Sequence, residues 1–247
     1  MVLFVGFVQS IYSPLQSISE VFGDIMASQA GAEKVMQLLE APIEIVDTPE
    51  VIEKYGTILS PKKESYEPLQ GDIVFDHVSF SYNPEVEVIH DLCLHVKKGT
   101  SLAIVGETGS GKTTTVNLLC RFYEPTSGRI LVDGVDYKER SLGYLRSNIG
   151  YVQQTPFVFE GTFYDNIVYG NRNATREQVE EAARIVGIDS FIRSTKDGYD
   201  TYLHDGGGML SQGQKQLVSF ARALLRDPSI LILDEATSSI DTETEAS

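Results

Sequence analysis

At 247 residues the chain has room for one large domain, or a domain with an appendage, around a core of ordinary size. Its 35 acidic against 20 basic residues leave a formal net charge of -15, the wrong sign for coating nucleic acid or anionic lipid through a broad basic face. No nucleic-acid partner is expected, any bound anion must be held locally, and Cys93 and Cys120, which lack metal-ligand spacing, are expected to be reduced core thiols.

In chain order, the first stretch carries no charged side chain before Glu20 and is about long enough for a membrane-spanning helix of roughly 20 residues. Gln9, Ser13, Gln16, Glu20 and Asp24 recur at steps of three or four and share one helical face, while Val5, Val8, Ile11, Leu15, Ile18 and Phe22 lie on others. Such a helix suits a place with lipid or neighbouring helices on one side and a polar cavity on the other; an amphipathic core helix of a soluble domain is the alternative. No basic residue precedes the apolar run, which argues against a signal peptide, and Pro14 is expected to kink the helix without ending it. The helical pattern continues from Ser28 to Leu39 until Pro42. Residues 41–70, with Pro49, Pro61 and Pro68, read as a linker, and the compact domain is expected over 71–247.

Within that domain DIVFDHVSFSY alternates as a half-buried strand does. SLAIVG and SILILDE are short continuous apolar runs, the pattern of central strands covered on both faces. A Gly-rich turn and a helix over Thr113 to Phe122 follow the first of these. Asn173-Ala174-Thr175 matches a glycosylation acceptor, but nothing else looks secreted. Thr175 with Gln178 forms a capping box, and Val179, Ala182, Ala183 and Val186 form a helical stripe. The whole is an α/β core with a helical insertion between residues 162 and 208.

Gly106-Glu107-Thr108-Gly109-Ser110-Gly111-Lys112-Thr113-Thr114 fits the phosphate-loop pattern, between a predicted strand and a predicted helix as that pattern requires. The three glycines let backbone N–H groups turn inward on phosphate oxygens, and the following helix adds its positive end. Lys112 is expected to reach the β- and γ-phosphates of a nucleotide, and the Thr113 hydroxyl to ligate Mg²⁺. The run Ile230 to Leu233 ends in two carboxylates: Asp234 for the metal through water, and Glu235 to orient or deprotonate an attacking water.

With LSQGQ at 210–214 these motifs resemble the ATPase domain of ABC transporters, of the exporter type that fuses membrane helices and ATPase in one polypeptide. The resemblance implies a P-loop NTPase fold of the ABC class, with a helical subdomain, ATP and Mg²⁺. It implies that residues 1–40 are a last transmembrane helix with its cytoplasmic extension, ahead of an ATP-binding domain over 71–247. Tyr82 matches the aromatic that stacks on adenine, and Gln154 the Q-loop glutamine, which in the family touches Mg²⁺ and senses the membrane domain, with Gln153 as the register alternative. Ser211, Gly213 and Gln214 match nucleotide-contacting positions of the signature, and Ser239 and Asp241 match the D-loop. None of the four histidines, 77, 90, 95 and 204, lies downstream of Asp234, so none takes the family's switch-histidine role, and the chain resembles an internal piece of a longer protein.

The expected function is ATP hydrolysis coupled to export across a cell membrane, with the full-length protein multi-pass and its ATPase domain cytoplasmic. A subunit that holds ATP mainly as a structural clamp is the alternative. Two such domains meet head to tail in the family, so the phosphate facing LSQGQ is the partner's. Gln212 stands where the common family form has Gly, which is expected to restrict the backbone and favour a heterodimer with a second half-transporter over a homodimer.

Overall fold

The computed structural model describes residues 2–234. They divide into two compact units with the boundary between Glu44 and Ile45. The first unit is one helix, α1 (Val2–Glu40), which runs through Pro14 without a break. Its side chains from Gln16 to Glu40 are exposed, and Gln16 donates to Glu20 across one turn at 3.1 Å. The expected membrane span is not met: among the described residues no helix is long and apolar enough to cross a membrane. Ser10, Gln16, Ser17, Ser19, Glu20 and Asp24 interrupt the apolar run too often, and each is costly in hydrocarbon.

The second unit opens with α2 (Pro49–Tyr55), capped by Thr48, whose side chain accepts from the Val51 amide. Thr at the cap and Pro at the first helical position favour a helix start here. Val51 and Tyr55 face inward, and with Leu69 they join the core of this unit. Residues 45–70, most of the linker expected over 41–70, pack into this second unit, since three of their apolar side chains find a core to enter.

A four-stranded antiparallel sheet in the order β2-β1-β3-β4 follows, from β1 (Ile73–Asn83), β2 (Val86–Val96), β3 (Ser127–Val132) and β4 (Val135–Asp136). The alternation foreseen in β1 is present, with a register shift at His77. Between β2 and β3 lies α3 (Lys112–Leu119), and α4 (Leu142–Ser147) precedes β5 (Ile149–Val152). The helical part comprises α5 (Phe163–Val168), α6 (Arg176–Ile185) and α7 (Asp189–Ser194), with β6 (Gly161–Thr162) paired to β7 (Tyr202–Leu203). Both bonds of the Thr175–Gln178 capping box are formed at the start of α6. The described chain ends with α8 (Gln212–Leu225) and β8 (Ile230–Leu233), which pairs in parallel with β5.

Two apolar clusters hold the unit together. One joins Leu118, Leu119 and Cys120 at the end of α3 to Ile149, Ile230 and Ile232 of the β5–β8 pair, and to β1 and β3. The other lies among the helices, from Phe163 and Ile167 to Val179, Ala183, Ile192, Val218 and Ala221. Two expectations fail around the parallel pair. Residues 101–107 form no strand, and Val105 is 91% exposed, because no strand among the described residues supplies a ladder for them. β8 is covered on one face only, with Leu231 and Leu233 about half exposed while Ile230 and Ile232 are buried.

Candidate nucleotide site

The phosphate loop takes its shape from glycine. Gly109 and Gly111 have φ of 87° and 88°, the left-handed region that side chains rarely adopt, and Gly111 is the N-cap of α3. At Gly106 the demand is space: a Cβ there would meet the Ser110 hydroxyl at 2.6 Å. No side chain caps α3, so its first-turn amides and the positive end of the helix face the loop. Lys112 starts this helix and folds back, its Nζ donating to the carbonyls of Gly106 at 2.8 Å and Glu107 at 2.9 Å. Backbone donors and a cation thus converge where an anion is to be held, and a polyphosphate fits this donor set.

The four residues after Gly111 divide between ligand and core. Thr113 is exposed and its hydroxyl is available to a metal, whereas Thr114 and Thr115 are buried. Thr115 bonds back to the Gly111 carbonyl. Thr114, expected among the nucleotide contacts, has its hydroxyl 3.1 Å from that of Tyr82. Tyr82 is half exposed and packs edge-on against Phe80 and Tyr123. This bond places an open aromatic face beside the phosphate-loop helix, which suits stacking on a base.

Asp234 follows β8, and its amide donates to Val152 of β5 at 3.0 Å. The parallel register sets Val152 opposite Leu233, so Gln153 and Gln154 leave β5 level with the point where Asp234 leaves β8. Crevices at the carboxyl ends of parallel strands are where ligands bind in such sheets. Tyr151 was not anticipated: its hydroxyl donates to Asp234 Oδ2 at 3.1 Å, and burial followed by the aspartate charge pushes its pKa up to about 12. Its only signal in sequence is an inward place in a strand beside the Q-loop. The hydroxyl of Thr113 and the carboxylate of Asp234 are hard oxygen donors of the kind Mg²⁺ takes. Glu235, Ser239 and Asp241 lie outside the described residues.

LSQGQ forms the start of α8, with Ser211 as N-cap. The Ser211 hydroxyl accepts from the Gln214 amide at 3.2 Å, and Gln214 Oε1 accepts from the Ser211 amide at 2.9 Å. Gln212 is the first helical residue, exposed, and is not among the positive-φ residues. The backbone therefore does not require glycine at 212, and Gln is accommodated there without left-handed strain.

The model of the ABC transporter family matches residues 89–238, more than half of the chain. This chain belongs to the ABC transporter family. It is 41% identical over 99% of its length to an uncharacterized ABC transporter ATP-binding protein, YknV, of Bacillus subtilis. It is 43% identical over 98% of its length to a fatty acid ABC transporter ATP-binding/permease protein of Mycobacterium tuberculosis. It spans 38% and 36% of those two proteins. A solved bacterial Atm1-family ABC exporter with ATP bound matches 97% of this chain and 40% of its own, at a TM-score of 0.77 and 35% identity. The loop, α3 and β8 are thus parts of an ABC ATPase domain, with the P-loop fold read from the sequence.

Of the two cysteines of this ABC domain, one departs from expectation. Cys120 is buried, but Cys93 is exposed on β2. Pairing of β1 with β2 brings its sulfur 3.6 Å from His77 Nδ1, which lies 2.7 Å from Asp91 Oδ1. Residue spacing along the chain gave no hint of that grouping.

Proposed function

We propose that this chain binds ATP with Mg²⁺ at residues 106–114 and Asp234, and hydrolyses it when paired head to tail with a second ABC half-transporter, driving export by a longer membrane protein. The observation that supports it best is the uncapped start of α3, with Lys112 folded over the glycine loop above it. Lys112 neutralises the terminal phosphates, the loop amides orient them, and Tyr82 stacks on the base. Mg²⁺, when bound by Thr113 and Asp234, would add Lewis-acid neutralisation of phosphate charge. Gln154 stands at the carboxyl end of β5 to relay the state of this site, and Glu235 orients or deprotonates the water.

The pairing rests on the signature segment, where Ser211 and Gly213 begin a helix of 14 residues and offer donors to a partner's γ-phosphate. The ATP-binding/permease description of the mycobacterial relative supports a membrane setting, and a cytoplasmic ATPase domain belongs to the same proposal. The heterodimer loses its backbone argument at Gln212, and what remains for it is the bulk of that side chain at the partner's phosphate.

Lys112→Ala tests the nucleotide reading: ATP binding weakens at least about tenfold, the loss of roughly one charge-assisted contact, while AMP binding changes little. Equal losses for both nucleotides would place Lys112 away from the terminal phosphates. Glu235→Gln in the complete transporter keeps ATP binding and removes most phosphate release; unchanged release would remove Glu235 from its role. The native full-length protein, purified alone and then with a candidate second subunit, decides the pairing by which of the two samples turns over ATP.

A further inference from the structure

Arg121 lies just past Cys120, the C-cap of the phosphate-loop helix, and is 1% exposed, with a left-handed φ of 52°. A non-glycine residue holds that conformation only where its surroundings over-determine it. Here they do. Its Nη1 donates to Asp47 Oδ1 at 3.0 Å and to the Arg140 carbonyl at 3.1 Å, its Nη2 to the Val46 carbonyl at 3.4 Å, and its Nε to Glu124 at 2.9 Å. The Asp47 side chain is 7% exposed, and both its oxygens also accept from the Leu142 amide, at 3.1 Å each, at the start of α4. One carboxylate therefore joins the segment entering the domain, the end of α3 and the start of α4.

Asp47 lies three positions after Glu44, where the boundary between the two units falls. It is the first charged side chain of the second unit, and it is fixed. A displacement arriving along the chain from the first unit meets this joint before any other described ion pair. Its far side is α3, eight residues or about 12 Å long, whose other end is the phosphate cradle. Loss of Asp47 would leave the buried Arg121 with the part-exposed Glu124 as its carboxylate partner and would take the acceptor from the Leu142 amide, so the three segments are no longer joined through one group.

We propose that Asp47 and Arg121 are positioning residues for nucleotide binding, fastening the chain that enters the domain to the far end of the phosphate-loop helix so that order at one end is linked to order at the other. The proposal rests on the nucleotide reading above. Linkage is reciprocal, so if the joint steadies the cradle, nucleotide in the cradle must steady the joint by the same free energy. A pair that only holds the fold together responds no more than core amides remote from the site, which slow through global stabilisation alone.

The test is hydrogen exchange of the full 247-residue chain with and without ATP and Mg²⁺, read at two places. The first is 110–115, the cradle itself. The second is the amides of Leu142, which donates to Asp47, and of Val51 and Ile52, which donate to Thr48. Nucleotide is expected to slow exchange at both in the native chain. In Asp47→Asn, which keeps an acceptor for Leu142 but removes the charge, the cradle still responds, the joint no longer does, and ATP affinity falls about 3- to 10-fold. Slowing at the cradle with no more at the joint than at remote core amides in the native chain overturns the proposal, and that arm needs no variant to fold. Unchanged affinity and unchanged response in Asp47→Asn overturn it too. No slowing at 110–115 sinks the nucleotide reading itself, and the proposal with it.

Discussion

On the proposed metal role of Asp234, the Tyr151 hydroxyl acts at the ligand itself: a bond of 3.1 Å fixes which oxygen of Asp234 stays turned toward β5. Groups that orient metal ligands commonly matter 10- to 100-fold in affinity, so Tyr151→Phe is expected to weaken Mn²⁺ binding in the presence of ATP by about tenfold. Electron paramagnetic resonance of bound Mn²⁺ would measure it, and an unchanged affinity would make the bond incidental. The thiols carry a second prediction at this scale. Burial pushes Cys120 up to about 11, whereas Cys93 is exposed, so iodoacetamide at pH 8 is expected to label Cys93 in the native protein and reach Cys120 only on unfolding. The unfolded chain loses the Cys120 proton first, near the ordinary thiol value of about 8.5. Its contribution to stability is thus complete below that pH and is lost as pH rises through about 11. Urea unfolding at pH 8 and pH 10 should show a smaller decline in Cys120→Ala than in the native chain.

Helix α8 carries the prediction that belongs to elements. Its start is held by a reciprocal pair of bonds between Ser211 and Gln214, so Ser211→Ala is expected to cost about 1 kcal/mol in urea unfolding. Gln212→Gly is expected to give no gain, because the backbone is already helical there and glycine adds freedom to the unfolded chain. A clear gain in stability from that change would mean Gln212 is strained after all. At its other end α8 is tied to the segment after the Q-loop: Arg222 donates to the Phe157 carbonyl at 3.1 Å and to Asn166, itself buried. Helix α8 and the segment from Phe157 to Asn166 are therefore one packed body within the domain.

For the domain as a whole, the informative segment is 45–70. Burying Val51, Tyr55 and Leu69 contributes roughly 1.5–3 kcal/mol each, and Tyr55 stacks on Tyr144 with ring centroids 5.4 Å apart. A chain beginning at Gly71 is expected to be several kcal/mol less stable than one beginning at Ile45, with a lower urea midpoint. Equal midpoints would show that this segment rests on the domain without supporting it. Pro, Glu and Lys dominate the composition of this segment, while its few apolar residues do the packing.

What the sequence determined by itself is local in cause. The phosphate loop, the Thr175 capping box, the alternation of β1 and the serine that begins α8 depend on residues within a few positions of one another, where glycine conformation, capping geometry and periodicity are decided. Tertiary structure decided what needs a distant partner. SLAIVG has the apolar run of a central strand, yet a strand exists only where a neighbour supplies the ladder, and none of the described residues does so. The first helix is nearly uncharged at its start, yet its polar residues are frequent enough that apolar length alone misleads. Asp47 with Arg121, Tyr151 with Asp234 and Cys93 with His77 join residues 74, 83 and 16 positions apart, and no pattern along the chain announces them. Such pairs form because packed elements bring complementary groups within reach, and a buried polar group without a partner is costly.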